Sequence, residues 1–321
     1  LVLVAMPQVT LARKCSNKFG FSLAYSYFKT AFFSYSRSED QRKGFLSFAL
    51  RSLIRNFAAH YIYYMTILYP SPIFGPVHSR RLGVSLGINL MPSDGKLCSF
   101  DCLYCECGLN IQRPALPRPS RQQVREALEQ VLATRAEKGE ALDVLTFAGN
   151  GEPTLHPDFP SIIDDTLTLR DRYFPEAKVS VLSNATAAHR PAVREALMRV
   201  DNNIQKLDTV AMDYIRLVDR PAPGYDVEKV IEALCAFEGQ VIIQTMFMTG
   251  SLADGTSVDN TSDAFVSPWV KALHRIKPSQ VMIYTIDRET PTPGLQKASH
   301  EQLDAIGERL RNEGFKVSVS Y

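Results

Sequence analysis

Cys98-Ser99-Phe100-Asp101-Cys102-Leu103-Tyr104-Cys105-Glu106-Cys107-Gly108 gathers four of the chain's six cysteines into ten residues. The first three follow a C-x3-C-x2-C spacing, compact enough to aim three thiolates at one centre. Such crowding in a 321-residue chain is unlike a disulfide framework. It reads as metal binding in a reducing, cytoplasmic compartment. A [4Fe–4S] cube has four irons, so Cys98, Cys102 and Cys105 would leave one iron without a protein ligand. Zinc is the competing reading, with Cys107 as fourth ligand, and an electron-transfer cluster would also use four. Zinc knuckles usually come as C-x2-C pairs separated by a longer loop, which this stretch lacks. Cys107 is expected outside the coordinating set. Cys15 and Cys235 are isolated, and Cys235 is expected to be a buried thiol.

Around this loop the chain alternates short apolar runs with amphipathic stretches. Strands are expected at Val84–Leu90, Val144–Ala148, Lys178–Asn184, Asn203–Val210, Val241–Met248 and Val281–Ile286, with a last one at Lys316–Tyr321. Helices are expected at Arg121–Lys138 (capped by Ser120 and stopped at Gly139), Phe159–Tyr173, Pro191–Val200, Val227–Phe237, Pro268–Ile276 and Glu301–Asn312. Strands and helices in strict alternation imply a parallel sheet, because parallel strands need crossover connections. Periodicity leaves an open doubly wound sheet and a curved partial barrel both standing. In either, ligands gather at the carboxyl ends of the strands. The polar stretch Ser251–Ser262 is expected to be a lid or an insertion.

Residues 1–64 differ in kind, with nine Lys/Arg against two Asp/Glu; residues 65–321 carry 27 against 32. The basic segment reads as an extension outside the enzyme, poorly packed and without catalytic residues. A transit peptide or a nucleic-acid-binding arm are the alternatives. Met65–Tyr69 reads as a first strand or a translation start. No run of about 18 apolar residues is present, so no membrane span is expected.

At the cysteine loop the sequence resembles the radical S-adenosylmethionine (SAM) superfamily, whose signature is C-x3-C-x-aromatic-C, with Tyr104 at the aromatic position. A second motif, Gly149-Asn150-Gly151-Glu152-Pro153, follows the strand Val144–Ala148 and resembles the superfamily's Gly-Gly-Glu-Pro turn. Taken alone it is also an ordinary glycine-rich turn before a helix. The resemblance implies a partial (β/α)6 TIM-type barrel over residues 65–321, binding a [4Fe–4S] cluster and SAM. It implies cofactor contacts from Tyr104, the 149–153 turn, Ser183 and Asn184, and from Lys206 and Asp208 at the end of the fourth strand. Gln244, Tyr284, Thr285 and Asp287 are weaker candidates for SAM or substrate contact. The lead-in Phe74–Gly83 and Val84–Gly87 resembles a wyosine-type tRNA-modifying branch. That branch carries a second cluster on earlier cysteines, and here only Cys15 precedes the loop.

The implied chemistry is reductive cleavage of SAM to a 5′-deoxyadenosyl radical, with electrons from a flavodoxin or ferredoxin, and hydrogen abstraction from a substrate. An RNA or nucleotide substrate would call on basic residues such as His78, Arg80 and Arg81 near the mouth, with Arg220 and Arg288 as further anion sites. The acidic balance of residues 65–321 weighs against RNA. The alternatives are an enzyme that activates or matures a protein partner, and a non-enzymatic iron–sulfur or zinc protein.

Overall fold

The computed structural model describes residues 67–79, 83–110 and 114–321. The 1–64 extension and the Arg80 and Arg81 expectations lie outside these residues. Strands β1 (Ile73–Ser79), β2 (Gly83–Ile88), β3 (Val144–Phe147), β4 (Lys178–Ser183), β5 (Asn202–Lys206), β6 (Ile242–Met246), β8 (Gln280–Tyr284) and β10 (Val317–Ser320) form one sheet in the order β1-β2-β3-β4-β5-β6-β8-β10. All neighbours are parallel except β1 and β2. The crossovers carry helices α1 (Arg121–Glu137), α2 (Phe159–Tyr173), α3 (Pro191–Leu197), α4 (Val227–Cys235), α5 (Asp263–Ile276) and α6 (His300–Asn312). A small antiparallel pair, β7 (Met248–Gly250) with β9 (Leu295–Lys297), stands apart from the main sheet.

Alternation within each strand gives the sheet two different faces. Leu86, Leu145, Phe147, Val179, Ile243 and Ile283 point to the helices and share the main core with Phe159 of α2 and Trp269 of α5. Phe147 and Phe159 meet edge to face with centroids 6.1 Å apart. Such a pair adds about 0.5–1.5 kcal/mol beyond area burial. The opposite face supplies Ser85, Thr146, Leu182, Ile204, Gln244 and Met282, from six successive strands, to the wall of one cavity of about 620 Å³. The sheet therefore curls around a lumen as a partial barrel. Ile204, Ile242 and Met282 close on one another as a small apolar cluster in it.

Several expected boundaries moved for physical reasons. Residues 67–70 form no strand. Prolines at 70 and 72 remove donors there, and the Tyr69 amide and carbonyl are bound by the Asn150 side chain. The first strand is β1 instead. The apolar run Val241–Met248 is divided at Phe247, whose amide bonds the Tyr284 carbonyl while the chain turns out into β7. Strand β5 ends at Lys206, short of the expected Val210, because the Met246 amide bonds the Asp208 carboxylate instead of continuing the ladder. Helix α5 starts at Asp263 and carries Pro268 inside it, held by the buried stripe Val266, Trp269, Val270 and Leu273. Cys235 is half-buried at the end of α4, where full burial was expected. The Ser251–Ser262 stretch is anchored rather than free, since Asn260 is fully buried and bonds the backbone of Met246 and Met248.

Ser120 caps α1 through a complete capping box with Gln123. Ser120→Ala is expected to lower the unfolding free energy by about 1 kcal/mol in urea titrations, with the slope of the transition unchanged.

Candidate active site

The cysteine loop lies beyond the carboxyl end of β2 and is braced from two sides. On one side the Leu103 amide bonds the Val218 carbonyl at 2.9 Å, the Asp101 amide bonds the Asp219 carbonyl at 3.0 Å, and the Ala222 amide bonds the Ser99 carbonyl at 2.8 Å. These partners follow a single helical turn, Met212–Tyr214, that widens into a π-helical turn, Ile215–Asp219. On the other side stands the glycine turn. Leu97 pairs with Gly151 as an isolated parallel bridge, the Leu97 amide bonding the Asn150 carbonyl at 2.9 Å and the Glu152 amide bonding the Leu97 carbonyl at 3.2 Å.

The glycines of this turn are there for space and conformation. Gly151 has φ +142°, and a Cβ on it would stand 1.9 Å from the Leu97 carbonyl oxygen. Gly149 has φ +131°, and its missing Cβ leaves room for Asn89. Asn150 is fully buried and spends its side chain on structure, accepting from the Tyr69 amide at 2.8 Å and donating to the carbonyls of Tyr69 at 2.9 Å and Pro92 at 2.8 Å. Its side chain thus turns into the protein, and only its backbone joins the cysteine loop. Pro153 opens a short 3₁₀ turn, Pro153–Leu155, whose N-cap is Glu152.

Glu152 is buried, with its carboxylate accepting from Thr154 Oγ1 at 2.5 Å and from the Asn184 amide at 2.7 Å. Burial raises its pKa and these bonds counter it. The Asn184 side chain then donates to Ser99 Oγ at 2.9 Å and to Cys98 Sγ at 3.5 Å. Ser183 Oγ accepts from the Ala185 amide. Cys98, Glu152 and Asn184, expected from separate strand ends, are therefore one connected group.

The sulfurs sit in an apolar cluster built by Phe100, Cys102, Leu103, Tyr104, Val218 and Met246, with Cys98 and Cys105 packed against it. All are free thiols. Burial, then Glu152, pushes Cys98 up to about 12; burial, then Asp219, pushes Cys102 well up. Cys105 is pulled down to about 6, chiefly by its hydrogen bond with Cys107, with burial opposing. The Cys107 thiol also lies 3.1 Å from the Gly149 carbonyl oxygen, which ties the cysteine loop to the glycine turn a second time. Lys96, 4% exposed, donates to the Gly108 carbonyl at 3.0 Å and stands 3.5 Å from Asp101. Burial disfavours its charge, but the cysteine sulfurs and Asp101 outweigh burial and raise its pKa. Sequence reasoning missed Lys96, because a lone lysine two residues before a cysteine carries no period or spacing.

Tyr104 turns its hydroxyl away from the loop, to Asp208 at 2.5 Å and Asp219 at 2.9 Å. Lys206 completes this group, with its ammonium 3.0 Å from Asp208 and 4.6 Å from the centre of the Tyr104 ring. Asp219, also absent from the sequence expectations, is pushed up to about 7 by burial and then by Asp208. At the mouth of the lumen Arg288 pairs with Glu106 at 2.7 Å and reaches the Tyr69 hydroxyl at 3.3 Å. Tyr284, Thr285, Asp287 and the exposed His78 line the same cavity, whereas Arg220 is exposed and meets the loop only through its backbone.

Among the described residues, no three His, Cys, Asp or Glu side chains are arranged around a single metal ion. A tetrahedral zinc at ~2.3 Å would need its sulfurs within roughly 4 Å of one another. Of the three sulfurs, Cys102 is buried and Cys98 and Cys105 are partly buried, and the buried Lys96 ammonium beside them fits a group held by thiolates.

No family model matches the chain. Of the solved structures, a radical SAM methyltransferase from Sphaerobacter thermophilus has the same fold, with a TM-score of 0.54 at 15% identity over 74% of this chain and 66% of that one. The likeness is one of fold: the chain shares the partial-barrel architecture of that radical SAM enzyme. Among curated relatives, a GTPase Obg of Brachyspira hyodysenteriae is 28% identical over 238 residues, 72% of this chain. The chain spans only 32% of that protein's length. A UPF0026 protein of Helicobacter pylori (strain ATCC 700392 / 26695) is 30% identical over 254 residues, 78% of this chain and 76% of that protein. The chain belongs to the UPF0026 family.

Asn150→Ala would leave the Tyr69 amide and the Pro92 carbonyl without their partner, while Asn89 still bonds the Tyr69 carbonyl. The substitution is expected to cost about 1–3 kcal/mol in chemical denaturation and to speed hydrogen exchange at the Tyr69 amide.

Proposed function

We propose that this protein is a radical SAM enzyme in which Cys98, Cys102 and Cys105 hold a [4Fe–4S] cluster. Its substrate would react in the barrel lumen. The observation that carries the reading is the joining of the three-cysteine loop to the Gly149–Pro153 turn through the Leu97–Gly151 bridge and the Glu152–Asn184–Cys98 chain. Both motifs stand at the carboxyl ends of strands that enclose an open cavity, where ligands of such sheets bind. When bound, the cluster and SAM supply a 5′-deoxyadenosyl radical able to abstract hydrogen from a carbon centre.

The chain's own residues do the placing. The positive-φ turn at Gly149 and Gly151 would lie against the amino group of SAM, and Glu152 holds that turn in place through Thr154 and Asn184. Lys96 sets a buried positive charge under the cysteine loop and offsets the negative charge of three thiolates. The apolar cluster around the sulfurs, with Val258 and Met248 packed into it, keeps water from the loop. Cys107, held to Gly149, is not a ligand in this reading. Every residue named lies downstream of the 1–64 segment, which we place outside the catalytic core. No described helix is long and apolar enough to cross a membrane.

Anaerobic reconstitution, iron and sulfide analysis and an assay for 5′-deoxyadenosine test the reading. Cys102→Ala is expected to abolish both cluster and SAM cleavage, whereas Cys107→Ala keeps the cluster. A reconstituted wild type that never cleaves SAM would refute the enzyme assignment. Lys96→Gln is expected to make the cluster harder to reduce, a more negative midpoint in a potentiometric titration followed by electron paramagnetic resonance.

A further inference from the structure

Gln244 is 7% exposed, lines the lumen, and makes no side-chain hydrogen bond to any described residue. Its backbone carbonyl is used, bonding the Leu207 amide. The neighbouring polar groups of the wall are spent. Lys206 is paired with Asp208, the Ser85 and Thr146 hydroxyls bond each other at 2.8 Å, and Thr285 accepts from the Ala298 amide. The Gln244 amide faces the open space of the lumen, where a ligand with a complementary edge would find both its donor and its acceptor unpaired.

Register fixes its surroundings. Gln244 stands level with Lys206 on one side and Met282 on the other, and Met246 and Tyr284 pair on the next level up. That level is about 7 Å nearer the mouth, two residues along the strand. The Gln244 amide thus lies below the network in which Tyr104 meets Asp208, deeper in the lumen than the cysteine loop. Two thioethers and two aromatic rings, Met246, Met282, Tyr104 and Tyr284, supply flat or soft faces around it. The cavity, about 620 Å³, is within the range of roughly 300–1,000 Å³ usual for small-molecule sites.

We propose that Gln244 is the substrate-reading residue of the lumen, and that the substrate offers it the in-plane donor–acceptor edge of a nucleobase. A glutamine amide presents one N–H donor and one carbonyl acceptor side by side. A base edge with the complementary pair satisfies both at once, as adenine does with N6 and N7. The cations that reach this wall are neutralised within the protein, Lys206 by Asp208 and Arg288 by Glu106. The wall at this depth therefore suits a neutral ring better than a phosphate or carboxylate. The assignment rests on the radical SAM reading only for what is done to the ligand once bound. SAM carries an adenine of its own, so the shared chemistry has two sources, and the substrate is favoured by the depth of Gln244 below the cysteine loop.

The test is equilibrium dialysis of the full chain, reconstituted with its cluster and saturated with SAM, against labelled adenosine, guanosine, cytidine and uridine. Gln244→Met, close in volume, and Gln244→Glu, which keeps an acceptor and loses the donor, are compared with wild type. Both variants are expected to fold, because the amide has no partner among the described residues to lose, and Gln244→Met is expected to melt no lower than wild type. At least one nucleoside is expected to bind wild type, with affinity about tenfold weaker in Gln244→Met, the value of roughly one hydrogen bond. SAM affinity is expected to be unchanged. An equal loss of SAM affinity would assign the amide to the adenine of SAM and overturn the proposal. Absence of nucleoside binding to wild type, or equal binding to wild type and both variants, would also overturn it. Nucleoside binding lost in Gln244→Met by a wild type that cannot cleave SAM would instead refute the enzyme reading and leave this one standing.

Discussion

The contact between Leu97 and Gly151 is the constraint on which the rest of the site depends. Two hydrogen bonds pass between these backbones, and the approach is so close that any side chain at 151 would collide with a carbonyl. Cys98 is the next residue after Leu97, so the position of the first sulfur is set by a turn more than fifty residues away. Buried backbone groups must be paired, and here each strand end supplies the other's partners. The glycines are thus a structural need of the junction before they are a feature of ligand binding.

A second level of order comes from buried charge. Lys206, Asp208 and Asp219 meet the Tyr104 hydroxyl in a region with little water, where two carboxylates and one ammonium cannot all be ionised cheaply. The outcome is visible in Asp219, whose pKa is pushed up to about 7 by burial and by its neighbour Asp208. The same network fixes the aromatic residue of the cysteine motif and ends the fifth strand at Lys206, since Asp208 takes the Met246 amide. Lys96 does the corresponding work beneath the sulfurs. Without it Cys98 and Cys105 would lose the buried positive charge that offsets their burial, while Cys102 would keep that of Lys206.

The strands and helices were legible wherever one period dominated. Helix α2 was expected at Phe159–Tyr173 and occupies those residues, because its apolar stripe and Pro160 leave no other register. Ser120 marks a helix start by capping chemistry that is local to the chain, and Ser299 caps α6 in the same way, with the helix starting at His300 instead of the expected Glu301. Where boundaries moved, a distant partner had intervened: Asn150 took the backbone of Tyr69, and Asp208 took that of Met246. Pro268 was read as a helix start, but the packing of Trp269 and Leu273 carried α5 through it.

The sequence by itself determined the alternation of strand and helix, the cysteine spacing and the glycine turn, because each is written in residues that are neighbours along the chain. It also located Asn184, Lys206 and Asp208 at strand ends, where a parallel sheet faces its ligands. Only the tertiary structure decided that Asn150 points inward as a pin, that Tyr104 answers to two aspartates, and that Lys96 lies under the sulfurs. It also decided that the sheet curls far enough to leave the Gln244 amide facing a cavity. The physical reason is the same in each case. Pairing of buried polar groups is a property of space, and the partners here lie tens to more than a hundred residues apart in sequence.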